Sequence, residues 1–281
     1  MLTLVTVLFL AVACSRNVSK TDEAIGSTTI TWIEDKPGPS LQPLKLYPTV
    51  PDSLWKALGL QEGVPSSMSC FLLQTEGKNI LLDAGLGAPF SQLLPQLKEM
   101  GIGQKDIHFI YITHMHPDHI GGMLQDGKAV FPHAEVYVNS KEAAAWQSMP
   151  GEKGRLPKKV METYKERWHL FEAGDTLIGG VLTIAAYGHT PGHTLFQKDS
   201  LLVIADLLHG AALQLEHPEY SPVYDMDVEA AKESRIRILQ YAKENRLTLF
   251  GMHLPAPGVI YPPPSIAMKS FGQKPWMAVL M

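Results

Sequence analysis

The sequence predicts a mixed α and β chain built as two β-rich halves, each carrying helices at its ends. Two observations predict it. Short β-branched and aromatic runs recur between Gly- and Pro-containing turns, and stretches of helical periodicity fall between them, the longest near the C-terminus. Across 281 residues, 45% hydrophobic and 19% charged content is enough for a sizeable core.

The elements follow in order. Thr28–Ile33 alternates apolar and polar residues and reads as a strand. Pro37, Pro39, Pro43, Pro48 and Pro51 break the next stretch into a loop with a short helix over Ser53–Leu60. Ser69–Gln74 and Asn79–Leu82 form a hairpin across Glu76-Gly77-Lys78. Phe90–Met100 is helical, with Gly101 as its stop. His108–Thr113 and Ala134–Val138 are strands. Ser140 is the expected cap of a helix over Lys141–Gln147, with Glu142 in its first turn. Pro150–Trp168, rich in Lys and Glu, reads as a loop plus helix inserted between the halves. Leu182–Ala186, Thr194–Gln197 and Leu201–Ala205 return to strands. Val228–Asn245 is the long helix, with Ala231, Ile238, Leu239 and Ala242 on its apolar face, and Leu247–Met252 closes as a strand.

The N-terminus stands apart. Leu2–Ala13 is apolar and uncharged, too short to span a bilayer and of the right length for a signal-peptide core. With Cys14 it resembles a bacterial lipoprotein cleavage site, although no Lys or Arg precedes the run and Ala11 stands where Leu is usual. The expectation is a leader and polar tether over 1–26, a single folded domain over 27–281, and an exported protein anchored to the cell envelope by lipid on Cys14. The other cysteine, Cys70, lies in an apolar strand and reads as a core residue, so no disulfide framework is implied. A net charge of −4, with no Lys/Arg run, argues against nucleic acid as a partner and leaves a small-molecule substrate.

Chemistry concentrates in Tyr111–Gly122, where His114, His116, Asp118 and His119 fall within six residues. Imidazole and carboxylate are the donors that zinc and similar ions accept. Phe109–Ile112 is a strand, Pro117 stops the ladder, and Gly121-Gly122 permits a tight turn, so the cluster sits where a strand becomes a loop. His193, Asp206 and His253 each follow a later strand. One ion needs about four ligands, so seven candidates suit two ions better than one.

These pieces, with Leu81-Leu82-Asp83-Ala84-Gly85 and Gly188-His189-Thr190-Pro191-Gly192-His193, resemble the metallo-β-lactamase superfamily in order and over Ser69 to Pro257. Ala205–Gln214 and His253-Leu254-Pro255-Ala256-Pro257-Gly258 resemble its methyl parathion hydrolase-like branch, close to the acyl-homoserine lactonases. The resemblance implies an αββα sandwich and two divalent metal ions, zinc first among them. It assigns His114, His116 and His193 to one ion, Asp118, His119 and His253 to the other, and Asp206 to both. It implies hydrolysis of an ester, lactone or phosphotriester by a metal-bound hydroxide, with Asp118 or Asp206 relaying a proton to the leaving group. Asp83 would orient a ligating imidazole, or simply form a turn. His189 would orient the loop that carries His193, or simply form part of that loop. Leu208, His209, Leu213, Gln214, Tyr220 and Tyr224, which follow Asp206, are the expected pocket wall. An N-acyl-homoserine lactonase shares all seven ligands. An iron-dependent sulfur dioxygenase of the same fold, with one iron, is the alternative of another class.

Overall fold

The computed structural model describes residues 22–25 and 27–262. The leader Leu2–Ala13 and Cys14 lie outside the described residues.

Two sheets face each other, and in both the strands lie side by side in chain order. The first holds β1 (Asp22–Ile25), β2 (Thr28–Glu34), β3 (Ser69–Thr75), β4 (Lys78–Leu82), β5 (Phe109–Tyr111), β6 (Glu135–Asn139) and β7 (Trp168–Phe171). The second holds β8 (Thr176–Leu177), β9 (Val181–Ala185), β10 (Thr194–Lys198), β11 (Leu201–Val203), β12 (Thr248–Phe250) and β13 (Val259–Ile260). Each begins as an antiparallel meander and later turns parallel, from β4 to β7 and between β11 and β12. Parallel neighbours need crossovers, and helices supply them. Helix α1 (Asp52–Leu58) lies between β2 and β3. Helix α2 (Leu93–Glu99) connects β4 to β5, and α3 (Pro117–Ile120) follows β5. Helices α4 (Ser140–Ser148) and α5 (Arg155–Tyr164) connect β6 to β7, and α6 (Ala211–Gln214) and α7 (Val228–Glu244) connect β11 to β12.

Strand β3 shows how the layers form. Phe71 and Leu73 join a core with Phe196, Val203 and Phe250 of the second sheet. Cys70 and Leu72 alternate to the other face, against Leu93 and Leu97 of α2 and Trp146 of α4. On the far side, Ile238 and Ala242 of α7 cover the second sheet. The result is the helix–sheet–sheet–helix sandwich. Cys70 is a buried free thiol.

Four local expectations change. Asp22–Ile25, inside the stretch expected to be a tether, pairs antiparallel with β2. Helix α2 starts at Leu93 rather than Phe90, because Asp35 reaches across from the end of β2 to accept the Leu93 amide at 3.2 Å. The cap of α4 is Asn139, whose side chain accepts the Lys141 amide at 2.9 Å, while the Ser140 hydroxyl donates to Glu172 instead. Trp168, expected as the end of the insert, instead opens an edge strand over Trp168–Phe171 that, among the described residues, pairs with β6 alone.

Candidate metal centre

The site forms at the carboxyl ends of β4, β5, β11 and β12, together with the loop joining β9 to β10. Beyond β5 the chain runs to His116, and Pro117 then occupies the first turn of α3, where a missing N–H costs nothing. The two glycines after α3 do not serve a turn of special backbone angle, since Gly121 has φ −60°. They permit close approach: a Cβ on Gly121 would lie 2.1 Å from the Leu86 carbonyl oxygen, and one on Gly122 2.0 Å from that of Ala84. The Asp83–Gly87 segment is thereby pressed against the histidine loop. Asp83 (φ 61°) and Ala205 (φ 45°) both hold left-handed backbone beside the site, a strain that their packed surroundings must sustain.

Asp206 is the hub. Its carboxylate lies 3.1 Å from Nε2 of His119, 3.2 Å from Nε2 of both His209 and His253, 3.3 Å from Nε2 of His189 and 3.6 Å from Nε2 of His114. His116 joins through Nδ1, 3.0 Å from Nε2 of both His114 and His189. Asp118, its side chain 23% exposed, places Oδ2 3.4 Å from Nε2 of His253. These atoms fall into overlapping clusters: His114, His116, His189 and Asp206; Asp118, His119 and His253; and Asp206, His209 and His253.

The opposite ring nitrogens explain why these atoms converge. Nδ1 of His119 faces Asp83 at 2.7 Å, that of His189 faces Asp225 at 3.0 Å, and that of His253 faces the Ser67 carbonyl at 2.9 Å. Nδ1 of His114 faces the Thr113 hydroxyl, which itself donates to Asp83. In each neutral ring Nδ1 therefore carries the hydrogen, and Nε2 presents a lone pair to another acceptor. Among the described residues, Nε2 of His119 and Oδ1 of Asp206 are buried without an aligned hydrogen-bond partner. Acceptors facing acceptors require positive charge between them, from protons or a metal ion. The donor set of imidazoles and carboxylates fits divalent zinc-like ions.

His193 does not belong to this set, contrary to expectation. Its Nδ1 donates to the Ala186 carbonyl at 2.9 Å and its Nε2 accepts the Asp206 amide at 3.3 Å. Both nitrogens are used, and His189, four residues earlier, faces the cluster in its place. His108, His133, His169 and His217 also stand outside it.

Electrostatics divide the histidines. Burial holds His114 well below its usual value, assisted by the neighbouring His119, and holds His116 and His193 at about 3, each assisted by His189. Burial also opposes charge on His119, His189 and His253. There the carboxylates outweigh it: Asp206, Asp118 and Asp83 lift His119 well above its ordinary value, Asp206 and Asp225 lift His189 to about 9, and Asp206 and Asp118 raise His253. Burial would raise Asp206, yet His119, His253, His114 and His209 hold it well below the usual carboxylate range.

Supporting residues complete the frame. Asp83 accepts from the Thr113 amide at 2.8 Å and hydroxyl at 2.6 Å as well as facing His119, so it combines the two roles considered for it, left-handed turn and imidazole partner. Two supports were not apparent from sequence. Glu142, read as a residue of the first helical turn, is fully buried and accepts from both loops that carry the clustered histidines His114, His116 and His189. Arg235, on the presumed charged side of α7, is 1% exposed. It donates to the carbonyls of Leu207, Pro218 and Tyr220 and to Asp225, pinning both ends of the segment that follows Asp206.

A cavity of about 760 Å³ borders the cluster, lined by His116, Asp118, Asp206, His209 and His253. Apolar walls come from Leu41, Met68, Trp146, Met149, Val223 and Met226. Of the six expected wall residues, His209 and Tyr224 line it. Leu208 is buried in the core between the sheets, and Leu213 in a smaller core with Tyr47 and Trp55, where Tyr220 also packs. Gln214 braces the loop, accepting the amides of His209 and Gly210 and donating to the Tyr220 carbonyl. The chain after Asp206 turns inward through α6, so nearness in sequence did not place these side chains in the cavity.

Comparison with known proteins agrees with this architecture. Exodeoxyribonuclease WalJ of Streptococcus pneumoniae is 34% identical over 149 residues, covering 50% of this chain and 51% of its own. This chain thus spans about half the length of that relative. Among solved structures, hydrolase AbOPH of the beta lactamase superfamily matches with a TM-score of 0.75 at 29% identity, covering 85% of this chain and 91% of that one. AidC, a dizinc quorum-quenching lactonase, matches with a TM-score of 0.78 over 90% of this chain and 98% of its own; at 23% identity this likeness concerns the fold. The Metallo-beta-lactamase superfamily profile matches residues 63–253, which include every residue placed around Asp206, and the chain belongs to that family.

Proposed function

We propose that the protein is a hydrolase that holds two divalent ions and opens an ester, a lactone or a phosphotriester. The observation that carries this reading is the buried Asp206 carboxylate, met by five imidazole Nε2 atoms within 3.6 Å. His114, His116 and His189 would hold one ion, Asp118, His119 and His253 the other, and Asp206 would serve both. Ions bound there would supply an activated water and polarise the carbonyl or phosphoryl oxygen. Asp83 and Asp225 fix the tautomers of His119 and His189. Asp118, at the cavity edge, would take the proton of the attacking water on Oδ2 and pass it to the leaving group. Tyr224 and His209, their rings 5.6 Å apart, flank the space for an acyl or aryl group. The activities named for AbOPH and AidC support this substrate class.

A phosphodiester substrate is the second reading. Lys36 and Lys153 border the cavity, and WalJ is named a nuclease. The test is kcat/KM of metal-reconstituted protein for an aryl ester, an acyl-homoserine lactone, a phosphotriester and a phosphodiester, with zinc counted per chain. We expect two ions and a preference for the neutral substrates. One ion, unchanged on adding metal, defeats the two-ion mechanism, and phosphodiester preference selects the second reading. The proposal extends to attachment through Cys14, for which fractionation of cells carrying Cys14→Ser is the check: a variant that stays membrane-bound rejects it.

A further inference from the structure

The helix that precedes the insert carries a carboxylate with an unusual set of partners. Glu142 is fully buried near the start of α4. Oε1 accepts the Met115 amide at 2.8 Å and the Trp146 indole N–H at 2.6 Å. Oε2 accepts the Thr190 hydroxyl at 2.7 Å and the Gly192 amide at 2.8 Å. Met115 lies between His114 and His116, and Thr190 follows His189. One carboxylate thus ties together the two loops whose imidazoles meet: the three ring nitrogens of His114, His116 and His189 are 3.0, 3.0 and 3.2 Å apart.

The second loop is also gripped from both sides. A Cβ on Gly192 would lie 2.3 Å from the Glu142 amide nitrogen, and one on Gly188 2.0 Å from that of Ala231 in α7. Helix packing alone would be served by an apolar residue at position 142. A buried carboxylate instead needs its hydrogen bonds to offset desolvation, and two of its four donors are backbone amides of ligand-bearing loops.

We propose that Glu142 is a positioning residue: it sets the spacing between the His114–His116 loop and the His189 loop, and so governs how tightly that half of the site holds its ion. The inference rests on the two-ion reading. Zinc–nitrogen bonds are about 2.0–2.1 Å, so a small relative slip of the loops disrupts the shared geometry. Glutamine is nearly the same shape but has one carbonyl oxygen. With its NH2 in place of Oε1 it confronts the Met115 and Trp146 N–H groups; in place of Oε2 it confronts the Gly192 amide, while the Thr190 hydroxyl can turn to accept, so in either orientation one backbone amide loses its acceptor.

The experiment uses the full chain, wild type and Glu142→Gln, loaded with zinc and equilibrated against graded chelator. Zinc per chain and circular dichroism are followed together. In Glu142→Gln one ion should leave at a chelator concentration at least about tenfold lower than in wild type, the other being retained as in wild type. In a His116→Ala background, Glu142→Gln should leave retention of the remaining ion unchanged. Wild-type retention of both ions, or equal loss of both, overturns the proposal. Thr190→Val removes one of the four donors and should produce a smaller loss of the same ion. It decides the matter if Glu142→Gln does not fold, and unchanged retention in Thr190→Val then counts against the proposal. A wild type holding one ion defeats the two-ion reading separately. Amide exchange in metal-free protein then tests the tie itself: one of the Met115 and Gly192 amides, the one that meets the new NH2, should exchange faster in Glu142→Gln, and unchanged exchange of both rejects it.

Discussion

Nδ1 of His189 lies 3.0 Å from Oδ1 of Asp225, and this contact turns the opposite nitrogen toward Asp206. His193, in the same loop, has its Nδ1 on the Ala186 carbonyl and its Nε2 on a backbone amide. The two histidines should therefore behave differently. His189→Ala should lose one ion per chain and nearly all turnover. His193→Gln should keep both ions and part of the turnover. Metal content measured alongside rate decides it, and the reverse pattern would restore His193 as the ligand.

Asp225→Asn should weaken zinc retention about 10–100-fold, the usual effect of removing a carboxylate behind a ligating imidazole. Arg235→Met should act more broadly, because the guanidinium also fixes three backbone carbonyls of the segment that follows Asp206. It leaves the buried Asp225 without its cation, so lost stability should accompany lost affinity, by about 3–5 kcal/mol. Chelator competition and thermal unfolding separate the two variants.

Zinc binding should release protons at neutral pH. In the metal-free protein His189 titrates at about 9 and His119 is raised well above its ordinary value, so these two rings carry protons that a metal must displace. Affinity should rise with pH up to about 9. The sign for folding is opposite: the contribution of His189 to the metal-free fold is full below its unfolded value of about 6.5 and is lost as pH rises through about 9. Calorimetry in buffers of different ionisation enthalpy measures the release, and zero net release would contradict this assignment of charge.

Gly122→Ala should destabilise the fold by about 1–3 kcal/mol through forced separation of packed backbone. The added methyl would meet the Ala84 carbonyl at 2.0 Å, next to Asp83 and its partner His119. The melting temperature and zinc content should fall together. An unaffected variant would show that this approach yields easily.

Much of the site was legible because its residues are rare types in a fixed order. His114, His116, Asp118, His119, Asp206 and His253 all lie where strands end, and the strands themselves show in the period-2 pattern. The exchange of His189 for His193 was not legible: both lie in one Gly-rich loop, and only the direction of each ring separates them. Glu142 and Arg235 looked like ordinary helix charges, since periodicity says nothing of a partner 50 residues away. Leu208 and Leu213 were misplaced because a short turn of α6 sends them inward. The edge strand β7 was hidden by its Lys- and Glu-rich approach.

Ser66, Ser67 and Ser69 donate to the carbonyls of Met252, His253 and Leu254, and His253 donates back to Ser67. The last histidine of the cluster is thus stitched to a segment that precedes all its other members. A growing polypeptide stopped short of residue 189 would own His114, His116, Asp118 and His119 yet lack the central carboxylate and both partners from the second sheet. The centre is therefore a late product of synthesis, and its readiness to take an ion marks the moment when the two halves have closed on each other.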